Sequence, residues 1–465
     1  MMDGTGSPED RLRDAGATCS TPATPEAEPP EYSDDAVALA FSDRHAGNLL
    51  FVPEWGHWLR WDGACWVRDT TLAVFDLARI VCREQAALGD STAKGGAGWV
   101  SKIAGRPKVA AVEGLARADR RHAREAALFD TDHWALNTPG GVVDLRTGRL
   151  RQHRSADLFT KVTGTAPGGD CLRWLEFLAE ITQDDPEVTA YLQRWAGYML
   201  TGETREHAFL FAYGPGGNGK GVLLTTLAAV LGDYATTAPM ETFMASQQDR
   251  HPTDLAGLRG ARLVVAQETE AGRVLAEVRI KALTGGDRIA ARFMRGDFFE
   301  FIPAFKLVMV GNHRPVIRNP DDAMRRRLHL LPLTFKPPKP DHELADRLRA
   351  ELPGILEWAI EGCLAWQRDG LGKPQLVTDA TAEYFAEQDM LAQWLAERCE
   401  VQARATAPSS ALFRDWKAWA EARGEQVGTG KAFSAALERH HAKKRTKEGV
   451  EFIGLRLLAS DTGVF

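Results

Sequence analysis

Cysteine motifs, long apolar runs and an excess of basic charge are all missing from this 465-residue sequence. Its 6 cysteines form no CxxC pair and lack the density of small secreted domains, so we expect reduced thiols and no zinc ribbon. No uncharged apolar run is long enough to span a bilayer, and the acidic, proline-rich start is not typical of a signal peptide. We therefore expect a cytoplasmic protein with no membrane partner.

The overall composition is that of an ordinary globular protein. Hydrophobic residues make up 44% of the chain and charged residues 26%, and the net charge is −6. Without a global basic field, any nucleic-acid site has to be local. The length exceeds what a single core supports, so we expect about two to four domains.

Composition divides the chain into four parts. Residues 1–34 are rich in Pro, Ser, Thr, Glu and Ala and predict a disordered tail. Residues 35–185 combine a tryptophan-rich hairpin pattern with short strands punctuated by glycine, which indicates a mixed α+β domain. Residues 186–370 alternate helix and strand signals and predict an α/β domain with a mainly parallel sheet. Residues 380–465 carry helical patterns followed by a hairpin, as in a winged-helix domain.

The most informative stretch is a glycine-rich loop that follows an apolar strand pattern and precedes a helical one. Glycines let backbone N–H groups surround a polyphosphate at a helix amino end, and the lysine that closes the loop reaches the β and γ phosphates. Strand, turn and helix in this order predict a P-loop that binds ATP. The predicted binding residues are Gly214, Pro215, Gly216, Gly217, Asn218, Gly219, Lys220, Gly221 and Val222.

One position departs from the usual P-loop pattern. The Ser or Thr that normally follows the lysine, and whose hydroxyl binds Mg²⁺, is replaced by Gly221. Either water completes the coordination of the metal, or Thr225 or Thr226 contributes from one turn later in the helix.

Two acids end the next apolar run. Glu268 and Glu270 follow a strand pattern that begins near Arg262. A P-loop ATPase needs a carboxylate at the end of a neighbouring strand to hold Mg²⁺ and to orient the attacking water. We predict Glu268 as the metal ligand and Glu270 as the competing general base, and the sequence does not separate the two roles.

A short amide and a cluster of arginines follow. Asn312 ends a strand pattern and is predicted to sense the γ phosphate or its attacking water, although an Asx turn is the alternative. Arg326, or as second choice Arg327, could reach a neighbouring subunit and stabilise charge on the transferring phosphoryl group. The alternative is a surface salt-bridge cluster with the two preceding aspartates.

Two basic segments are candidates for DNA contact. Strand patterns on either side of residues 294–297 predict a hairpin whose Arg292 and Arg295 could grip DNA phosphates inside a ring. Near the carboxyl end, a second set either contacts DNA or forms a solvated hairpin edge. It consists of Lys443, Lys444 and Arg445.

A further run of arginines lies in the first domain. Arg117, Arg120, Arg121 and Arg124 recur at helical spacing and predict a helix over this segment. The face that they form is either solvated or a DNA contact.

Together these elements resemble the superfamily 3 helicases, and most closely the phage and plasmid primase-helicase family related to poxvirus-type nucleoside triphosphatases. The resemblance runs from about His45 to Phe335 and rests on five segments in family order: GPGGNGKG, VVAQETE, LTGGDRIAARFMRGDFFEF, VGNHRP and DDAMRRRL. The segment from Asn137 to Gly148 is similar to the amino-terminal domain that precedes the helicase in that family.

The resemblance implies a role for each candidate residue. By it, Lys220 binds phosphate, Glu268 serves Mg²⁺, Asn312 is the sensor and Arg326 is the finger that acts on the neighbouring subunit. It also implies a homo-oligomer, typically a hexamer, that hydrolyses ATP and moves along single-stranded DNA at a replication fork. Such a protein works in a bacterial cytoplasm, is encoded by a phage, prophage or plasmid, and can have a separate primase or initiator as partner.

One departure from the family concerns the amino-terminal end. Many relatives carry a polymerase-type primase domain there, whereas only the short tail precedes the shared region in this sequence, so we expect helicase activity without primer synthesis. An ATP-switched initiator or loader that grips origin DNA without processive unwinding is the alternative. A small-molecule P-loop kinase is a third reading, but it would need neither the hairpin nor the arginines nor the tail domain.

Overall fold

The computed structural model describes residues 28–88, 96–246, 253–267, 273–294, 296–317, 321–388, 390–423, 427–438, 441–447 and 449–458. The chain divides into two compact units, Met1–Phe129 and Asp130–Phe465. The predicted tail falls largely outside the described residues, and the first helix begins at Asp34. The four predicted domain limits remain predictions.

The first unit packs helices against a small antiparallel sheet. Its elements are α1 (Asp34–His45), β1 (Leu49–Val52), β2 (His57–Trp61), β3 (Trp66–Arg68), α2 (Ala73–Leu88), α3 (Gly96–Ile103) and α4 (Arg106–Ala116). The sheet order is β1-β2-β3. Trp61 pairs with Trp66 across the turn, so the predicted tryptophan hairpin is confirmed. One face of it is buried, and Trp58 donates its indole N–H to Glu113 at 2.6 Å.

The helix predicted over the first run of arginines is wrong. Helix α4 ends at Ala116, and the chain then turns around Asp119, whose carboxylate accepts hydrogen bonds from the backbone N–H and the guanidinium of Arg121. A short acid that bonds its own backbone two residues on favours a turn over a helix. The pKa of Asp119 is lowered, chiefly by the Arg121 guanidinium. Arg121 also pairs with Asp43, so this arginine is engaged within the unit.

The second unit contains the remaining helices and strands. Up to the end of the central sheet they are β4 (Ala135–Thr138), β5 (Gly141–Asp144), β6 (Arg149–Arg151), α5 (Leu172–Thr182), α6 (Pro186–Leu200), β7 (Phe209–Tyr213), α7 (Lys220–Leu231), β8 (Ala235–Thr237), α8 (Thr253–Ala256), β9 (Leu263–Gln267), α9 (Glu277–Gly285), β10 (Ile289–Arg292), β11 (Phe298–Phe301), β12 (Lys306–Gly311), α10 (Asp322–Arg327) and β13 (Leu328–Pro332). After it come α11 (Leu344–Ala350), α12 (Leu352–Asp369), α13 (Gln375–Gln388), α14 (Met390–Arg398), β14 (Cys399–Pro408), α15 (Ser409–Ala422), α16 (Gly430–Glu438), β15 (Lys443–Thr446) and β16 (Gly449–Leu457).

A five-stranded parallel sheet forms the centre of this unit, in the order β13-β7-β12-β9-β8. Alternate residues of each strand enter different cores: Leu210 and Ala212 pack with α5, α6, α7 and α12, whereas Phe209 and Phe211 pack with α9 and α13. Strands covered on both faces are apolar throughout, which is the pattern of a parallel sheet. The predicted mixed α/β fold with a parallel sheet is therefore confirmed.

Capping residues set where two of the helices begin. Asp185 accepts hydrogen bonds from the N–H groups of Glu187 and Val188, and Pro186 occupies the first position of α6, where its missing N–H costs nothing. Asp321 caps α10 by accepting from the N–H of Met324. The arginine cluster thus lies on a short helix that begins at a fixed point.

Smaller antiparallel sheets flank the central one. The hairpin β10-β11 confirms the predicted pair of strands around residues 294–297, and β4-β5-β6 confirms the glycine-punctuated strands. At the carboxyl end, β14-β16-β15 packs with α15 and α16. Within the ranges given above, no helix is both long enough and apolar enough to cross a lipid bilayer.

Candidate functional site

The glycine-rich loop joins the end of β7 to the start of α7, as the sequence predicts. Gly214, Gly217 and Gly219 have φ angles of +150°, +79° and +85°, which side chains with a Cβ rarely adopt. A Cβ on Gly214 would overlap the carbonyl oxygen of Leu333, and one on Gly219 would lie 2.7 Å from Ile181 Cγ2. The loop backbone therefore turns tightly against its surroundings, which only glycine permits at these points.

Lys220 lies inside this loop and is only 5% exposed. Its ammonium donates to the carbonyl of Gly214 at 2.7 Å, to the carbonyl of Pro215 at 3.2 Å and to Oδ1 of Asn218 at 2.8 Å. These three acceptors match the three donors of an ammonium group. Burial lowers the pKa of Lys220. Phosphate oxygens could replace these acceptors, because the ammonium lies at the amino end of α7, where anions bind.

Asn218 fastens the loop to the neighbouring strand. Its side-chain amide donates to the carbonyl oxygen of Leu333, the residue after β13, and the N–H of Leu333 donates to Tyr213 at 2.8 Å. Asn218 is buried, while Pro215, Gly216 and Gly217 form the exposed side of the loop. The loop is thus anchored at its base and open at its tip.

Gly221, where the metal-binding hydroxyl is missing, lies at an open and exposed position. A Cβ built there would meet no atom within 4 Å. One turn later, the Thr225 hydroxyl donates to the Gly221 carbonyl at 2.9 Å, and Thr226 is buried. Thr225 is therefore the more accessible of the two threonines, and a larger side chain at position 221 would have room.

The acid-bearing strand ends beside the loop. Strand β9 stops at Gln267, which is in register with Val310 of β12, and β12 is in turn paired with β7. The predicted catalytic and metal-binding acids, Glu268 and Glu270, follow at once but lie outside the described residues. Because parallel strands end at the same edge of a sheet, Gln267 itself lies at the edge that carries the glycine loop.

Asn312 lies at the same edge. It is exposed and directly follows β12, whose last residue, Gly311, pairs with Tyr213 at the start of the loop. Arg314, which the sequence did not single out, lies nearby between the rings of Tyr213 and Tyr384, at 5.9 and 5.8 Å. It also pairs at 2.6 Å with a glutamate 73 residues later in the chain, so no local pattern reveals its position.

The arginines of α10 differ in exposure. Arg326 is exposed, and within the described part of the chain it has no ion pair. Arg327 is only 9% exposed, donates to the Ala323 carbonyl at 3.1 Å and has its pKa lowered, chiefly by burial. The guanidinium of Arg325 lies 4.9 Å from the centre of the Phe385 ring. Of the two predicted fingers, only Arg326 has a side chain free to reach another molecule.

Among the described residues, Asp321 does not form the alternative salt-bridge cluster with Arg326 or Arg327. Asp321 caps α10 and pairs with Lys281 of α9 instead of with the arginines that follow it. Lys281 holds the pKa of Asp321 below its usual value, together with the N–H of Met324 and against the effect of burial. The acid therefore fixes the helix position and leaves Arg326 unneutralised.

The β10-β11 hairpin has an exposed, largely apolar tip. Met294 is 80% exposed, Phe293 and Phe298 are exposed beside it, and the Arg292 guanidinium lies 5.0 Å from the centre of the Phe298 ring. Arg295 lies outside the described residues. A cation over an exposed ring can bind phosphate while the ring stacks on a base.

The second basic set lies on a different sheet. Lys443, Lys444 and Arg445 are all exposed on β15, at the edge of the β14-β16-β15 sheet. Lys443 pairs with Glu438, and Lys444 lies opposite Glu451 on β16. The structure does not bring this set to the edge of the parallel sheet where the glycine loop lies.

Two segments of the chain match known family models. Residues 38–183 match the family "D5 N terminal like", and residues 212–327 match a family of unknown function, DUF5906. The protein named "Putative helicase L207/L206" of Acanthamoeba polyphaga mimivirus is 25% identical over 297 residues, which are 58% of this chain and 31% of that protein. "Putative helicase 022R" of Frog virus 3 (isolate Goorha) is 27% identical over 278 residues, 53% of this chain and 28% of that protein. The chain thus spans less than a third of these relatives.

Among solved structures, the apo structure of the NrS-1 C terminal region (305-718) superposes on this chain. The match covers 92% of this chain and 100% of that one. The sequence identity is 10% and the TM-score is 0.49, and the relationship to known families does not rest on this match.

The family matches coincide with the segments that carry the resemblance. The first contains Asn137 to Gly148, and the second runs from the end of β7 through the glycine loop to the end of α10. The two relatives described above are viral proteins with helicase names. The predicted resemblance is confirmed: the chain matches the "D5 N terminal like" family over residues 38–183 and is similar to viral proteins that carry helicase names.

Proposed function

We propose that this chain is an ATP-dependent DNA helicase that acts in phage or viral replication. The observation that carries the proposal is the position of the glycine loop, at the carboxyl edge of the parallel sheet, between β13 on one side and β12 on the other. Ligands of open α/β sheets bind at such an edge. Lys220 follows β7 and Asn312 follows the paired strand β12 at this edge, which supports a P-loop core of the superfamily 3 type.

In this proposal the loop binds the polyphosphate of ATP. The loop N–H groups and Lys220 would hold the phosphates, and Asn312 would contact the γ phosphate or its attacking water. Glu268 would hold Mg²⁺, with Glu270 as the competing base. The metal would neutralise charge on the phosphates. The tight glycine turns and the buried lysine fit this group, because both serve a close approach of backbone to an anion.

We further propose that the protein forms a ring, as a homo-hexamer, in which Arg326 completes the site of the neighbouring subunit. Its exposure on the capped helix α10 supports this, since a finger has to be free to leave its own subunit. An arginine supplied in trans is worth about 10³–10⁵ in turnover.

Mixing two inactive variants tests the ring directly. Lys220→Ala lacks the phosphate lysine, and Arg326→Ala lacks the finger, so neither should hydrolyse ATP alone. In a mixed ring, an intact loop can meet an intact finger at about one interface in four, and turnover should return to about that fraction of the wild-type rate. If mixing restores nothing although the variants co-assemble, Arg326 does not act across the interface.

DNA contact is proposed for both basic segments. Arg292 and Arg295 on the hairpin would face single-stranded DNA inside the ring, and the exposed rings beside Arg292 support stacking on bases. The β14-β16-β15 sheet with α15 and α16 supports a winged-helix domain, with Lys443, Lys444 and Arg445 on its hairpin. Single-stranded DNA should therefore raise the rate of ATP hydrolysis by the purified chain, and the unstimulated rate should persist in Arg292→Ala.

A second candidate, an origin-binding initiator or loader, is favoured by one observation. The exposed basic strand β15 belongs to a small sheet separate from the parallel sheet, so DNA could be held there without being moved. Such a protein would work with a separate primase or helicase, and DNA would stimulate ATP turnover without strand separation.

A further inference from the structure

The segment that follows β13 runs along the glycine loop. Leu333, its first residue, accepts a hydrogen bond from the Asn218 side chain and lies where a Cβ on Gly214 would stand. Three residues later, Cε of Lys336 lies 3.5 Å from the point where a Cβ on Gly217 would be. Leu333 thus contacts the base of the loop, and the Lys336 side chain lies beside its exposed tip.

The position of Lys336 is set by its neighbours. Leu333 is fixed by its bond to Tyr213, and the Thr334 hydroxyl accepts from Gln183 at 3.4 Å. Two prolines follow Lys336 directly, and the residue before a proline is held in extended backbone. The lysine is therefore carried by a stiff segment with few conformations, which reduces the entropy lost when it binds a ligand.

The Lys336 ammonium group is available to bind a ligand. Its side chain is exposed, and across the ranges that the structure covers it makes no ion pair and no hydrogen bond. Lys220, by contrast, is buried at the base of the loop on the α7 side. The two lysines therefore flank the same loop, one beneath its backbone and one over its tip.

The geometry points to Lys336 as a second phosphate-binding lysine of the nucleotide site, contacting an anion held by the loop around Gly217. This inference rests on the proposed ATP function and extends it to a residue outside the P-loop pattern. A polyphosphate carries several negative charges, and at Gly221 the chain lacks the hydroxyl that normally helps a metal to share them. A second ammonium group beside the loop offsets part of that charge.

Equilibrium binding of ATP to the purified full-length chain tests the inference. Lys336→Ala should raise the Kd for ATP roughly five- to tenfold, the value of one charged contact at an exposed site. Lys336→Arg keeps the charge and should stay within about threefold of the wild type. The loss in Lys336→Ala should shrink as NaCl is added, because salt screens exposed charges.

Lys339→Ala is the matched control, since Lys339 is also exposed on this segment and lies one residue beyond the two prolines. It should bind ATP as the wild type does, and all variants should keep the wild-type Tm. The inference is overturned if Lys336→Ala binds ATP as tightly as Lys339→Ala, or if Lys336→Arg is as weak as Lys336→Ala. If the wild type itself binds no ATP, the proposed function fails and this inference with it.

Discussion

Acidification should destabilise the unit that holds the glycine loop, through a single buried histidine. His329 lies on β13, the edge strand that runs from the arginine helix to the segment beside the loop. It is 3% exposed, and its Nδ1 lies 2.7 Å from the Tyr191 hydroxyl. Burial lowers its pKa to about 3. The neutral ring is therefore part of the packing between β13 and α6.

The size of this destabilisation follows from the difference between the pKa of His329 in the folded protein and in the unfolded chain. An unfolded histidine titrates near pH ~6.5, so as the pH falls the unfolded chain gains this proton before the folded one does. The contribution of neutral His329 to the free energy of unfolding is fully present above about pH 6.5. It is lost progressively towards pH ~3, where the histidine protonates in the folded state as well. From pH 7.0 to 5.5 this one group should lower the free energy of unfolding by about 1 kcal/mol.

The assay is urea unfolding at both pH values, followed by tryptophan fluorescence, in the wild type and in His329→Gln. Glutamine can keep a hydrogen bond to Tyr191 but does not titrate, so the variant should lose about 1 kcal/mol less than the wild type over this pH range. His342→Gln is the control, because His342 is exposed on the same unit. If His329→Gln and the wild type lose equal stability, His329 is not held neutral by burial and the reasoning is refuted.

Three further predictions concern the candidate site. Lys220→Ala should abolish ATP binding, measured by calorimetry, because the loop loses its only buried cation; unchanged affinity would contradict the assignment. Arg326→Ala should reduce turnover by about 10³-fold or more while ATP binding stays within a few-fold of the wild type. Arg327→Ala should instead lower the Tm, because it removes a buried side chain that bonds the Ala323 carbonyl and leaves a cavity. If Arg327→Ala reduces turnover and Arg326→Ala lowers the Tm, Arg327 is the finger. Gly221→Ser should fit without clashes and lower the Mg²⁺ concentration needed for half-maximal ATP binding; no change would mean that a hydroxyl there cannot reach the metal.

Local patterns were enough to predict the loop and the hairpin. The turn between β7 and α7 is specified within about ten residues, because glycines permit positive φ and the flanking periodicities differ. The same holds for the strands that meet at residues 294–297. Asn312 was placed correctly at a strand end for the same reason.

The contacts between distant segments could not be predicted in this way. Asn218 and Leu333 are 115 residues apart in sequence, and they meet only because β13 pairs with β7. Lys336 lies beside the loop through that same pairing. Helical spacing alone also could not show that Arg326 is exposed and Arg327 buried, since both follow from how α10 packs against its neighbours.

Two errors in the secondary structure predicted from the sequence have identifiable causes. The helix expected over the first run of arginines fails because Asp119 forms a turn that competes with helical hydrogen bonds. Strand β14 was missed although its sequence from Cys399 to Ala407 alternates apolar and polar residues, because three of the apolar positions are alanine, which favours helices over strands. Its pairing with β16 also shifts register between Val401 and Thr406, which the alternation alone does not reveal.

Unwinding of a duplex with a single-stranded tail tests the central claim most directly. The wild-type chain should separate the strands when ATP and Mg²⁺ are present, and Lys220→Ala should bind the same DNA without separating it. Retention of DNA binding in that variant distinguishes a failure of the motor from a failure to load. If the wild type hydrolyses ATP faster on DNA yet leaves the duplex intact, the helicase proposal is contradicted and the initiator or loader takes its place.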